Sequence, residues 1–201
     1  MNVINSIGVT FTEHCNALAD KVIATGFHPD VVVGILTGGA FVARIMAERF
    51  KNAGLEFAYA EIKLQRYSTI KKEQLGVKRH LRKLPRWVCD FLRNVEVYFR
   101  EIKFYGRRGK PVGAASLSEQ VQSVLLDGAK VLIVDDTIDT GVTIKAVKQG
   151  VLAKCPHSDV RLAALTITHH KPEAWPEYYV YNRVLLRFPW SYDAENGEEG
   201  A

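Results

Sequence analysis

The sequence lacks long apolar runs, a paired set of cysteines and internal repeats. No apolar stretch approaches the ~18 residues that a membrane span requires. Residues 1–10 show no basic start followed by an apolar stretch, so we expect no signal peptide. The three cysteines (Cys15, Cys89 and Cys155) are widely spaced and match no zinc-binding pattern. These absences favour a soluble protein of the reducing cytoplasm.

The composition is that of an ordinary globular protein. With 201 residues, 47% of them hydrophobic and 24% charged, the chain suits one domain with a substantial core. We therefore predict a single domain over residues 1–193. Residues 194–201 are acidic and contain glycine, which predicts a disordered tail.

The basic residues are concentrated in one segment. Fifteen of the 27 Lys and Arg residues, but only four of the 22 Asp and Glu residues, lie between Lys63 and Lys110. A basic segment in an acidic body indicates either an anionic partner or a solvated basic helix face, and charge alone does not decide between them. Within this segment, residues 85–103 carry apolar side chains at helical spacing, which predicts an amphipathic helix.

Short apolar runs alternate with helical patterns along the rest of the chain. Such alternation predicts an α/β protein with a doubly wound parallel sheet, whose ligands bind beyond the carboxyl ends of the strands. Thr10 and Glu13 have the spacing of a capping box at the start of the first helix. The predicted strands are 31–36, 57–64, 131–134 and 161–168, and the predicted helices are 11–25, 40–50 and 142–153.

The most informative stretch is residues 131–143, which read VLIVDDTIDTGVT. Four apolar residues predict a buried strand, and the carboxylates of Asp135 and Asp136 follow where it leaves the sheet. The Thr-Gly-Val-Thr turn then leads into a helix and offers backbone N–H groups, hydroxyls and a glycine for close approach, all suited to a phosphate. Paired acids after a strand also serve as helix caps or metal ligands, so the carboxylates alone leave the function open.

This run resembles the signature of the type I phosphoribosyltransferase family, in which an apolar strand precedes two acids and a loop containing Thr-Gly-x-Thr. The family cleaves phosphoribosyl pyrophosphate (PRPP) through an oxocarbenium-like state, with Mg²⁺ bridging pyrophosphate and ribose. The resemblance implies that Asp135 and Asp136 hold the ribose hydroxyls and contact the metal only through ribose or water. It also implies a 5′-phosphate site made of Thr137, Ile138, Asp139, Thr140, Gly141, Val142 and Thr143.

Two residues resemble those of the 6-oxopurine branch of the family, the enzymes of hypoxanthine, guanine and xanthine. In that branch the signature ends Asp-Thr-Gly, as it does here from Asp139, and the aspartate handles the proton at purine N7. Capping of the helix that begins near Val142 is the alternative role for this aspartate. Lys171 resembles the lysine that contacts purine O6. The preceding His169 and His170 are expected on alternate faces of a strand, as structural residues.

Three further segments resemble parts of the family's site. A glycine pair is similar to the pyrophosphate loop, an Arg-Tyr-Ser run to the start of the mobile lid that excludes water, and the Pro-Trp ending to the hood over the base, here within residues 169–193. The residues so assigned are Thr37, Gly38 and Gly39 for pyrophosphate, Arg66, Tyr67 and Ser68 for the lid, and Lys171, Leu185 and Trp190 for the base.

The resemblance implies a purine-salvage or nucleotide-pathway enzyme that transfers the phosphoribosyl group of PRPP to a 6-oxopurine with Mg²⁺, as a homo-oligomer (dimer or tetramer). Two alternatives stay open: a phosphoribosyltransferase with another acceptor, and a non-catalytic PRPP or nucleotide sensor that binds nucleic acid. Residues 71–110 form a basic insertion, interpreted as an enlarged lid, a subunit interface or an RNA-binding segment. The first two are favoured, because aromatic residues at helical spacing usually pack together and no RNA-binding motif is present.

Overall fold

A computed structural model describes residues 1–63, 88, 90, 94, 95 and 113–191. Its strands are β1 (Asn2–Asn5), β2 (Val31–Ile35), β3 (Ala58–Ile62), β4 (Lys130–Ile138), β5 (Asp159–Ile167), β6 (Tyr178–Asn182) and β7 (Val184–Arg187). Its helices are α1 (Val9–Ala24), α2 (Gly38–Asn52), α3 (Glu119–Val124) and α4 (Val142–Lys154). None of the described helices is long and apolar enough to cross a membrane.

Five strands form one parallel sheet in the order β3-β2-β4-β5-β6. The chain runs from β2 through α2 to β3 at one edge, and from β4 through α4 to β5 in the opposite direction. Because such crossovers are right-handed, the reversal puts α2 and α4 on opposite faces of the sheet. The predicted doubly wound parallel sheet is therefore confirmed, and its switch point lies between β2 and β4.

The core forms two layers, one on each face of the sheet. Alternate residues of β2 show this, since Val32 packs with the buried faces of α1 and α2, whereas Val31 and Val33 pack with α3 and α4. All five residues of β2 are buried. A parallel strand covered on both faces is expected to be a continuous apolar run, which is why this strand was readable from the sequence.

Strand β4 is longer than predicted. It continues beyond Val134 to Ile138, so the carboxylates of Asp135 and Asp136 lie within the strand and not after it. The extension is stabilised by β5, whose pairing with β4 continues to Ile138↔Ile167. The apolar run predicted only the first part of β4, because the residues that follow it, 135–137, are polar.

One local prediction needs correction, and one strand was not predicted. Helix α1 begins at Val9 with Gly8 as its N-cap and no side-chain cap, so the capping-box prediction for Thr10 and Glu13 is wrong. The hood contains a two-stranded parallel sheet of β1 and β7, and the sequence analysis did not predict β1. The predicted tail, 194–201, lies outside the described residues.

Candidate active site

The switch point lies beside the carboxyl end of β4. Strand β2 pairs with β4 only as far as Gly34↔Val134, whereas β5 follows β4 to its end. After β2 the chain turns away through residues 36–37 into α2, so the last residues of β4 have a strand on one side only. Ligands of doubly wound proteins bind at such points, and the predicted site residues of β4 lie there.

Asp135 and Asp136 are the first residues of β4 beyond its pairing with β2. Asp135 is almost completely buried, at 3% exposure, and its Oδ1 accepts a hydrogen bond from the Asp136 backbone N–H at 3.0 Å. Oδ1 of Asp136 accepts from the Thr137 N–H at 2.9 Å. These backbone contacts orient the carboxylates, and hydrogen bonds to ionised groups are stronger than those between neutral groups.

The predicted pyrophosphate loop lies directly against these carboxylates. Its Leu36–Thr37 peptide bond is cis, and α2 begins at Gly38. A Cβ added at Gly38 would lie 2.1 Å from Oδ2 of Asp136, and one at Gly39 would lie 2.7 Å from Cα of Asp135. A side chain at Gly39 would therefore separate the loop from β4, and one at Gly38 would displace the carboxylate of Asp136. The first turn of α2 adds backbone N–H groups that favour an anion.

The predicted phosphate turn is fixed by the segment that follows β5. Gly141 has a φ of 75° and is the N-cap of α4, and a Cβ there would lie 2.8 Å from the backbone nitrogen of Ala174. The Glu173 N–H donates to the Thr140 carbonyl at 2.8 Å, and its carboxylate pairs with Lys145 at 2.9 Å. Gly141 is thus required for both its backbone conformation and its close packing.

Asp139 is held by a partner on the neighbouring strand end. The hydroxyl of Thr168, a buried residue, donates to Oδ1 of Asp139 at 2.6 Å. The N-cap of α4 is Gly141, two residues after Asp139, and the alternative that Asp139 caps the helix stays a prediction. The sequence analysis missed Thr168, although the residue after a strand next to β4 was the place to look.

Lys171 follows the same strand end. Its backbone N–H donates to Nδ1 of the buried His169 at 2.9 Å, while its side chain is exposed. The rings of His169 and His170 are stacked with centroids 5.0 Å apart, and β5 ends at Ile167. The expectation that the histidines alternate on a strand is therefore wrong, because they lie in the turn beyond it.

The two predicted hood contacts differ in their surroundings. Leu185 is buried at 8% exposure and pairs with Val3 in the small sheet. The ring of Trp190 is stacked on Phe188, with centroids 4.9 Å apart, and on Phe41, at 5.3 Å. Since two phenylalanines already stack on Trp190, its contact with a base stays a prediction. A Cβ at Gly38 would also lie 2.9 Å from this indole, so Trp190 packs against the predicted pyrophosphate loop.

The carboxylates fit the predicted indirect binding of Mg²⁺. Among the described residues no group of three or more His, Cys, Asp or Glu side chains could hold a metal ion. Mg²⁺ commonly uses one or two carboxylates and takes its other ligands from substrate phosphates and water. Asp135 and Asp136, next to each other on β4, match that smaller protein contribution.

Two described residues of the basic segment contact the hood. Asp90 pairs with the buried guanidinium of Arg187 at 2.5 Å, and the terminal ammonium of Met1 donates to Oδ1 of Asn94 at 2.6 Å. Residues 88, 90, 94 and 95 are helical. The predicted lid residues Arg66, Tyr67 and Ser68 and most of the insertion 71–110 lie outside the described residues, so its three interpretations stay predictions.

Taken with its site, the fold defines the class of protein. A doubly wound sheet that carries a carboxylate pair and a glycine-containing phosphate turn at its switch point is suited to bind a sugar phosphate. A sequence model of the phosphoribosyl transferase domain matches residues 8–194. The chain belongs to the phosphoribosyltransferase family, and its class of enzyme is phosphoribosyltransferase.

Solved structures share this fold at low sequence identity. The purine phosphoribosyltransferase of Pyrococcus horikoshii is 20% identical, with 95% of each chain covered and a TM-score of 0.57. The xanthine-guanine-hypoxanthine phosphoribosyltransferase of Helicobacter pylori is 14% identical over 94% of this chain and 92% of that one, with a TM-score of 0.57. A hypothetical protein of Neisseria gonorrhoeae with bound ppGpp is 18% identical over 97% and 91%, also at 0.57. No curated protein sequence matches the chain.

Proposed function

We propose that this protein transfers the 5-phosphoribosyl group of PRPP to a 6-oxopurine and releases pyrophosphate. The observation that carries the proposal is that the three carboxylates on and just after β4 fall into two groups. Asp135 and Asp136 lie against the pyrophosphate loop, whereas Asp139 lies beyond the strand and is bound to Thr168 at the end of β5. The carboxylates of Asp135 and Asp136 are suited to bind the ribose, and the carboxylate of Asp139 is suited to contact the base.

In the proposed reaction the bond from ribose C1′ to the pyrophosphate oxygen breaks, and a bond from C1′ to purine N9 forms. The departing pyrophosphate keeps the electron pair, so the sugar acquires cationic character that the carboxylates of Asp135 and Asp136 stabilise. The purine must lose one proton as it becomes a nucleotide. Asp139 accepts that proton from N7 while N9 attacks.

The phosphates, the metal and the base bind at the remaining parts of the proposed site. The 5′-phosphate binds the turn of residues 137–143, and pyrophosphate binds Thr37, Gly38 and Gly39 at the start of α2. Asp135 and Asp136 would hold Mg²⁺ indirectly, through ribose or water, and the ion would neutralise charge on pyrophosphate. The base lies beyond them, where the ammonium group of Lys171 donates to a 6-oxo group and disfavours the amino group of adenine.

Two of the neighbouring structures support the choice of acceptor. The Pyrococcus protein is named a purine enzyme and the Helicobacter protein a xanthine-guanine-hypoxanthine enzyme. The ppGpp bound to the Neisseria protein is itself a guanine nucleotide, which suits a site for a 6-oxopurine ribotide.

A different acceptor is the second candidate, and the hood favours it. The family resemblance implies an aromatic residue that stacks on the purine at Val184 or Leu185, and neither is aromatic. Stacking on an aromatic residue contributes about 1–3 kcal/mol per base in nucleic-acid sites. Trp190 is already stacked on two phenylalanines. A smaller heterocycle or an amine would depend less on such stacking.

The variant Asp139→Asn tests the proposed reaction. The amide keeps the shape of the side chain and an oxygen for the Thr168 hydroxyl, but it cannot accept the N7 proton. Since general acid–base catalysis contributes about 10²–10⁴-fold, we expect kcat with hypoxanthine to fall at least about 100-fold. The affinity for PRPP, measured by calorimetry, should change little.

Asp20→Asn is the matched control, because Asp20 is 51% exposed on α1 and pairs with Arg49. This variant should retain wild-type kcat. Wild-type turnover in Asp139→Asn would remove Asp139 from the reaction, and the 6-oxopurine assignment would lose its main support.

A further inference from the structure

We propose that Thr168 is a positioning residue that fixes the carboxylate of Asp139 for proton transfer. The inference rests on the proposed function and adds a residue to it. The Thr168 hydroxyl donates to Oδ1 of Asp139 at 2.6 Å, a short distance typical of a hydroxyl bound to a charged acceptor. The two residues lie at the ends of neighbouring strands, 29 positions apart in the sequence.

Thr168 is itself held in place by its backbone. Its N–H donates to the Ile138 carbonyl at 3.0 Å, and its carbonyl accepts from the Arg183 guanidinium at 2.6 Å. The residue is 2% exposed, so little water competes for its hydroxyl. A β-branched side chain also has few χ1 rotamers. The hydroxyl that reaches Asp139 therefore comes from a fixed point.

The Thr168 hydroxyl acts on a side chain whose backbone is already placed, because the carbonyls of Ile138 and Thr140 on either side accept backbone N–H bonds at 3.0 and 2.8 Å. Asp139 follows the last residue of β4 and lies two residues before Gly141, the N-cap of α4, and its side chain is only half-buried. A general base must lie within hydrogen-bond distance of the proton that it takes. A misplacement of about 1 Å costs about 100-fold in rate. The Thr168 hydroxyl fixes Oδ1 and thereby selects one orientation of the carboxylate.

The expected kinetic signature separates positioning from general stability. Thr168→Val keeps the branched shape and removes the hydroxyl, and Thr168→Ser keeps the hydroxyl. We expect the valine variant to lower kcat with hypoxanthine by about 10- to 100-fold, with the KM for PRPP nearly unchanged. The serine variant should recover most of the activity. If the valine variant fails to fold, Thr168→Ala removes the hydroxyl without adding a methyl group to the site.

A double-mutant cycle tests whether Thr168 acts through Asp139. Once Asp139→Asn has removed the proton acceptor, Thr168→Val should lower kcat no further, because residues that act as a unit are not additive. Equal losses in the wild-type and Asp139→Asn backgrounds would overturn the proposal, as would a valine variant with wild-type kcat.

Crystal structures of the variants provide a readout that does not depend on turnover. The proposal predicts that the Asp139 carboxylate leaves its wild-type orientation in Thr168→Val and keeps it in Thr168→Ser. An unchanged orientation in Thr168→Val would refute positioning. If the wild type makes no nucleotide from any base, the proposed function fails, and the orientation of Asp139 still decides whether Thr168 positions it.

Discussion

Replacing Gly141 with alanine tests how tightly the phosphate turn is built. The substitution meets two obstacles, since Gly141 has a φ of 75° and its added Cβ would lie 2.8 Å from the nitrogen of Ala174 and 3.0 Å from its oxygen. Those atoms belong to backbone that the bond from Glu173 N–H to the Thr140 carbonyl holds in place. Relief of the contact would therefore require the turn to move.

Gly54 supplies the control for backbone strain alone. Its φ is 78°, and a Cβ there would have no neighbour within 4 Å. Left-handed backbone costs a residue with a Cβ about 1–2 kcal/mol, which both alanine variants incur. Overpacking adds about 1–3 kcal/mol in Gly141→Ala alone. Each kcal/mol lowers the melting temperature of a chain of this size by roughly 2–4 °C.

The assay is thermal unfolding of both variants together with calorimetric titration of PRPP. We expect Gly141→Ala to melt several degrees below Gly54→Ala and to bind PRPP more weakly, while Gly54→Ala binds like the wild type. Equal melting temperatures with unchanged PRPP affinity would refute the packing argument and remove residues 140–141 from the phosphate site.

The remaining predictions concern the pyrophosphate loop and α1. Gly39→Ala should lower the free energy of unfolding by about 1–3 kcal/mol and weaken PRPP binding, because its Cβ would lie 2.7 Å from both the Val134 carbonyl and Cα of Asp135. Denaturant unfolding measures the first effect and PRPP titration the second, and wild-type values in both would contradict this prediction. Burial lowers the pKa of His14 below its ordinary value of 6.5, so its contribution to stability is complete above pH 6.5 and is lost as the pH falls from there through the lowered pKa of the folded state. The melting temperature of the wild type should therefore decrease more from pH 7.5 to 5.5 than that of His14→Gln, and parallel curves would contradict the assignment.

The sheet was predictable where strands are buried on both faces. Strand β2 is a continuous apolar run, and the apolar start of β4 is equally clear, because parallel strands need such residues. Strand β1 was missed because Asn2–Asn5 is partly exposed and its partner β7 lies at the other end of the chain. Only the folded chain brings these two segments together.

The proximity of the candidate site's residues was predictable where they are close in sequence. The carboxylates and the phosphate turn occupy one run of 13 residues, so their proximity follows from chain connectivity. The bond from Thr168 to Asp139 depends on the register between β4 and β5, and the stacking of Trp190 on Phe41 depends on how the hood meets α2. Neither relation leaves a local pattern in the sequence.

A panel of bases, each supplied with PRPP and Mg²⁺, tests whether this protein transfers the phosphoribosyl group to a 6-oxopurine. Nucleotide and pyrophosphate formation would be measured with hypoxanthine, guanine, xanthine, adenine, uracil and orotate. The account predicts equimolar nucleotide and pyrophosphate with one or more of the first three bases and none with the others. Turnover of adenine, uracil or orotate, or no turnover with any of the six while PRPP still binds, would contradict transfer to a 6-oxopurine.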